Sequence, residues 1–213
     1  MLDTENSASK VAEFLLKIKA IKLQPENPFQ WASGWNSPIY CDNRKTLSYP
    51  EIRTYIKDCF SKEIKHRYNK PDIIAGVATG GIALGALVAQ ELEIPFCYVR
   101  AQAKSHGLNN SIEGDVKTGQ NVVVIEDLIS SGKSSLNAVR DLREAGLNVI
   151  GMGAIFSYGF SIAEDNFKAS NCELFTLTNY AELIKEALDT NYISADAIAS
   201  LEEWRSSPST WKK

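Results

Sequence analysis

The chain reads as an α/β protein with a central parallel sheet flanked by helices. Three observations predict this. From Asp72 onward, short apolar runs alternate with amphipathic segments, the pattern of strands joined by crossover helices. The runs Ile73–Val77 and Val122–Ile125 are apolar at consecutive positions, as in strands covered on both faces. Polar or glycine-containing turns follow these runs, at the strand ends where open α/β sheets bind ligands.

The elements follow in order. Val11, Phe14, Leu15 and Ile18 recur at helical spacing and predict an amphipathic helix over Ser9–Lys22. Phe29–Asp42 is rich in aromatics, with Gly34 and Pro38, and reads as a short hairpin or irregular strand pair. Ser48-Tyr49-Pro50-Glu51 has the form of a capping box opening a helix to about Lys65. Strands are expected at Ile73–Val77, Phe96–Arg100, Val122–Glu126, Val149–Ile155 and Leu174–Leu177, with helices at Ile82–Leu92 and Ser134–Ala145. Asn179 to Glu182 is a second capping pattern, and two helices finish the chain. The expected division is an N-terminal cap over 1–70, a core over 71–180 and C-terminal helices over 181–213.

Composition narrows the function classes. The 213 residues suit one large domain or a core with an attached subdomain, and 44 % hydrophobic residues supply a core. A net charge of -3 argues against a nucleic-acid binder that relies on a basic surface. Four cysteines stand far apart, without a Cys-x-x-Cys pair. They predict neither a zinc site nor a disulfide framework but small buried apolar groups in a reducing cytosol. No apolar run is long enough to span a bilayer. A soluble, cytoplasmic protein without membrane or nucleic-acid partners is expected.

The chemistry concentrates in Val122–Ser135. An apolar run ends in Glu126 and Asp127, and Leu128, Ile129, Ser130, Ser131, Gly132, Lys133 and Ser134 lead into a helix. A turn that opens a helix exposes unpaired N–H groups where the helix dipole favours an anion. The hydroxyls and Gly132 add to a phosphate site. Carboxylates repel phosphate and prefer hydroxyls or a metal. Phosphate beside a vicinal diol is a ribose 5-phosphate. The plainer alternative is that the two acids end a strand in solvent and cap the next helix. Gly132-Lys133-Ser134 looks like the end of a P-loop, but Asp127 stands where that loop needs its first glycine. No dinucleotide-binding glycine fingerprint follows any strand.

Other clusters carry paired readings. Ala78-Thr79-Gly80-Gly81 offers a backbone nest for a second anion, or a tight turn with glycines for packing. Arg100, Lys104 and His106 lie at the start of a long polar excursion, Ala101–Lys117. This is either a lid bringing cations to a diphosphate or a solvated surface loop. His66, in Lys65-His66-Arg67, suits a helix end rather than catalysis. Phe29, Trp31, Trp35 and Tyr40 form either a slot for a planar ring or a small core. Tyr158, Gly159 and Phe160 pose the same choice.

Together these segments resemble the type I phosphoribosyltransferase family, in its orotate branch. Val122–Ser135 resembles the family's phosphoribosyl-diphosphate signature, a highly specific motif. Ser33-Gly-Trp-Asn-Ser-Pro-Ile-Tyr-Cys-Asp-Asn-Arg44 resembles its N-terminal ring-binding segment, and Ile74–Ile82 its diphosphate loop. Tyr98–Gly107 with Ile112-Glu113-Gly114 resembles its flexible catalytic loop. The match is collinear over nearly the whole chain and includes Ala154–Phe160.

The resemblance implies transfer of ribose 5-phosphate from 5-phosphoribosyl 1-diphosphate to orotate, in pyrimidine nucleotide synthesis. A different base, or a non-catalytic regulator sensing the same sugar diphosphate, are the alternatives. It implies Mg2+ carried mainly on the diphosphate, with Asp127 reaching it through a water. It further implies a homodimer with shared active sites, Arg100, Lys104 and His106 serving the partner. Arg100, Lys104, His106 and Asp127 are the implied catalytic residues. Thr79, Gly80 and the run Glu126 to Ser134, Lys133 included, would hold the phosphoribosyl donor. Ser130, Tyr40 and Tyr158 would contact orotate. The chain departs from the family pattern at Asn36, Ala101, Lys133 and Tyr158-Gly159.

Overall fold

The computed structural model describes residues 4–31, 34–100 and 111–212, with side chains from residue 7 onward. In chain order its elements are α1 (Thr4–Lys17), β1 (Ile21–Leu23), β2 (Phe29–Gln30), β3 (Asn36–Ser37), β4 (Ile39–Cys41), a 3-10 helix (Asn43–Ser48), α2 (Pro50–Arg67), β5 (Ile73–Val77), α3 (Gly80–Leu92), β6 (Phe96–Val99) and β7 (Ile112–Glu113). There follow β8 (Asn121–Ile129), α4 (Lys133–Glu144), β9 (Asn148–Ser157), α5 (Ser161–Ala169), β10 (Leu174–Asn179), α6 (Tyr180–Asp189), a 3-10 turn (Ala195–Ala197) and α7 (Ile198–Ser206). The chain divides into two compact units, one of Met1–Thr46 with Thr178–Lys213 and one of Leu47–Leu177. Helix α2 therefore groups with the sheet.

In the first unit, α1 starts earlier and stops earlier than its periodicity predicts. Lys19 has a φ of 54° and ends the helical path. Ile21 and Leu23 then point inward at strand spacing, and β1 pairs antiparallel with β4 through Ile21↔Cys41 and Leu23↔Ile39. Val11, Ala12, Leu15 and Leu16 form the buried stripe of α1, which packs against α6. The expected hairpin is present as β2 and β3, paired Phe29↔Ser37. Trp31 belongs to the core: it meets the fully buried Trp204 edge-on at 5.6 Å, and its Nε1–H donates to the Ile39 carbonyl. Trp35 and Tyr40 stay 39 % and 42 % exposed, so the aromatic segment splits between packing and an open face. The Asn179 side chain accepts from the N–H groups of Ala181 and Glu182, capping α6 as its sequence predicts.

In the second unit, α2 begins by a different device from the predicted capping box. Ser48 ends the 3-10 helix, Tyr49 is the N-cap without a side-chain hydrogen bond, and Pro50 opens the helix. Proline suits that place because its fixed φ is helical and its missing N–H has no partner to lose. The six-stranded sheet has the order β10-β9-β8-β5-β6-β7. Strands β6, β5, β8 and β9 run parallel, with Ile74↔Phe96, Ile73↔Val122 and Val122↔Val149 in register. The short β7, which the sequence pattern missed, pairs antiparallel with β6 through Val99↔Ile112. Val122 to Ile125 are fully buried, as their unbroken apolar run predicts. Ala138, Val139 and Leu142 of α4 join the same core.

All four cysteines are free, and burial pushes the thiols of Cys59, Cys97 and Cys172 up to about 11. These three buried thiols stay protonated at neutral pH. Among the described residues, no helix is long and apolar enough to cross a membrane.

Candidate active site

The site forms where β5 and β8 end side by side. Strand β8 does not stop at Glu126. It continues beside β9 through Glu126↔Ala154, Leu128↔Phe156 and Ile129↔Ser157. The turn proper is therefore Ser130–Gly132. Gly132 has a φ of 75° and serves as the N-cap of α4 with no side-chain cap of its own, while the Lys133 N–H donates to Ser131 Oγ at 3.5 Å. The first-turn N–H groups of α4 have no intrahelical partners, and the positive end of the helix dipole lies at the same point.

The two acids occupy different environments. Glu126 is 6 % exposed. Its Oε1 accepts from the Asp127 backbone N–H at 2.9 Å, and its Oε2 accepts from the Ser135 hydroxyl at 3.0 Å. Burial first, then the adjoining Asp127 carboxyl, pushes the Glu126 pKa well above the ordinary carboxylate range. Glu126 thus ties β8 to the first turn of α4. Asp127 is half-buried and reaches the other turn, because a Cβ on Gly80 would collide with its carboxyl group. A Cβ on Gly81 would likewise strike the Ile125 carbonyl. Both glycines let α3 start directly against β8, so the packing reading of this turn holds. The same packing brings it beside the acids. The Ala78–Thr79 peptide here is cis.

One cavity of about 310 Å³ joins the two turns, with walls from 78–80, 126–128, 130–132, Ser134 and Ser135. Of the residues the sequence singled out, Thr79, Gly80, Glu126, Asp127, Leu128, Ser130, Ser131, Gly132 and Ser134 meet there. Ile129 is fully buried and faces the core. The Lys133 residue lines a larger groove of about 1030 Å³ between α4 and α5 instead. Arg100, just past β6, pairs with Glu113 at 3.3 Å across the β6–β7 ladder. Tyr158 is buried, stacked on Phe160 at 5.3 Å and edge-on to Phe156, so its ring is a packing element rather than an open face. Tyr40 lies in the first unit, on β4. Lys104 and His106 lie outside the described residues. Ser135 was not singled out by sequence reasoning. Its place in the first turn of α4, facing the strand, is the signal that could have found it.

Among the described residues, no group of three or more His, Cys, Asp or Glu could hold a metal alone. Mg2+ commonly binds through one or two carboxylates plus substrate phosphates and retains waters. The half-buried Asp127 fits that shared role, and Glu126, with both oxygens engaged, does not.

The parallel sheet thus brings an anion-ready turn, two adjacent acids and a second bare-backbone turn to one cavity. Residues 45–191 match the phosphoribosyl transferase domain family. The chain is 54 % identical to an orotate phosphoribosyltransferase of Cytophaga hutchinsonii over 98 % of this chain and 100 % of that one. It is 56 % identical to the Bacteroides fragilis orotate phosphoribosyltransferase, covering 94 % of this chain and 95 % of that one. The crystal structure of orotate phosphoribosyltransferase from Aeropyrum pernix superposes with a TM-score of 0.74 at 26 % identity, over 86 % of this chain and 99 % of that one. The chain belongs to the orotate phosphoribosyltransferase family, as its motifs predict.

Proposed function

We infer that this protein is an orotate phosphoribosyltransferase. It joins orotate to the anomeric carbon of 5-phosphoribosyl 1-diphosphate, giving orotidine 5′-monophosphate and diphosphate in pyrimidine nucleotide synthesis. Identity above half over nearly the full length of named relatives supports the base. The observation that carries the mechanism is the single cavity in which Asp127 faces the Gly80 turn beside the first turn of α4.

The residues divide the work by charge. The N–H groups opening α4, with the Ser130, Ser131 and Ser134 hydroxyls, grip the 5-phosphate. Asp127 accepts from the ribose hydroxyls. Glu126, hydrogen-bonded to Ser135 and to the Asp127 backbone, holds that carboxylate in place. The Thr79–Gly80 backbone faces the diphosphate. Departure of diphosphate builds positive charge on the ribose and negative charge on the leaving group, so catalysis needs positioning and charge stabilisation rather than a nucleophilic side chain. Arg100 and Lys104 supply cations to the leaving group, His106 adds a hydrogen-bond donor, and the loop that carries Lys104 and His106 excludes water. Asp127 would help to hold a Mg2+ ion shared with the diphosphate, and the ion would supply positive charge to the leaving group. Ser130 also contacts orotate. The working unit is a cytoplasmic homodimer in which that loop serves the partner's site.

The test is loss of orotate absorbance on adding the sugar diphosphate and Mg2+, run beside uracil, adenine and hypoxanthine. Turnover of orotate alone is expected. Turnover of another base without orotate overturns the assignment.

A further inference from the structure

Helix α5 contributes no residue to the cavity walls, yet it touches the phosphate turn twice. The Asn166 side-chain amide donates to the Ser131 carbonyl at 2.9 Å. One residue on, the buried Phe167 ring lies where a Cβ on Gly132 would be, 2.6 Å from Cε2. The helix is itself anchored, because Arg143 of α4 donates to the carbonyls of Ser170 and Asn171 at its C-terminal end, at 2.7 and 2.9 Å.

Asn166 lines the groove between α4 and α5 and not the 310 Å³ cavity, whereas Ser131 lines both. The Ser131 carbonyl is therefore held on the groove side. In a planar trans peptide the C=O and the following N–H point in opposite directions. Pinning the Ser131 oxygen outward aims the Gly132 N–H into the cavity. Released, that peptide could rotate and present a carbonyl to a phosphate. Gly132, in the left-handed region, offers little resistance to such rotation.

We propose that Asn166 is a positioning residue for phosphoribosyl-donor binding: it fixes the Ser131–Gly132 peptide so that its N–H faces the donor's 5-phosphate. This rests on the cavity being the 5-phosphate site. A specific consequence follows. Loss of the Asn166 amide weakens the sugar diphosphate and leaves orotate and the chemical step alone.

The test uses Asn166→Leu, which keeps the branched shape but lacks the amide, and Asn166→Ala. KM for each substrate, kcat and the melting temperature are measured. Expected in both variants is a rise of about five- to tenfold in KM for 5-phosphoribosyl 1-diphosphate, the range for one lost hydrogen bond. KM for orotate and kcat at saturating sugar diphosphate should stay within about twofold, with melting lowered by no more than about 6 °C, the cost of one hydrogen bond. Wild-type KM for the sugar diphosphate in both variants overturns the proposal. So does a common fall in all kinetic constants together with melting, which marks a purely structural role. Asp127→Asn is the control for the underlying site: if it too leaves turnover intact, the cavity is not the donor site and both readings fall. If Asp127→Asn abolishes turnover while the Asn166 variants are silent, only the Asn166 role fails.

Discussion

Gly132→Ala probes the turn that opens α4 through two separable costs. At a φ of 75°, an alanine pays the left-handed penalty, about 1–2 kcal/mol. Its Cβ would also sit 2.6 Å from Phe167 Cε2, and overpacking of this kind costs about 1–3 kcal/mol. The sum is about 2–5 kcal/mol, or about 4–20 °C in melting temperature for a chain of this size. Gly119→Ala isolates the first cost, since Gly119 has a φ of 88° and nothing within 4 Å of its Cβ position. That variant should lose only about 1–2 kcal/mol. Denaturant unfolding of both, with Phe167→Ala and the Gly132→Ala/Phe167→Ala pair, closes a double-mutant cycle. The pair should be less destabilised than the sum of its singles by about the overpacking cost of 1–3 kcal/mol. Gly132→Ala should also raise KM for 5-phosphoribosyl 1-diphosphate. If Gly132→Ala is no worse than Gly119→Ala and the cycle is additive, α5 does not brace the turn.

Lys104→Ala should cut kcat by at least about tenfold through lost charge stabilisation while unfolding as wild type; undiminished turnover would show that the loop cation plays no part. Ser135→Ala removes the hydroxyl donating to Glu126 Oε2 and should destabilise by about 1–2 kcal/mol, read by urea denaturation; an unchanged midpoint counts against the strut. Glu126→Gln tests the raised carboxyl. Because the folded-state pKa lies above the unfolded one, the stability from protonated Glu126 is full below the unfolded value of about 4.3. It is lost as pH rises through the folded value. The Gln variant should therefore gain on wild type between about pH 5 and 8, and parallel stability curves would refute the burial-driven shift.

The sheet and its turns were legible because burial on both faces writes unbroken apolar runs, as in Val122–Ile125. The turn that opens α4 was legible because Gly132 and the hydroxyl residues around it interrupt the apolar pattern between β8 and α4. What failed were the ends of elements. Glu126 and Asp127 end the apolar run, yet the β8–β9 ladder continues to Ile129 because backbone pairing ignores side-chain polarity. Ile21 and Leu23 fit a helical period as well as a strand, and the turn at Lys19 decides between them. Ser48 carries the composition of a cap, but Pro50 sets where the helix begins. Asn166 left no local signal, since its partner Ser131 lies far away in the chain and meets it only through the fold.

A crystal structure with 5-phosphoribosyl 1-diphosphate bound is the most direct measurement. The 5-phosphate should accept hydrogen bonds from the N–H groups at 132–134, with a ribose hydroxyl on the Asp127 carboxylate. A sugar phosphate lodged elsewhere, or an Asp127 carboxylate turned away from the pentose, would contradict that assignment.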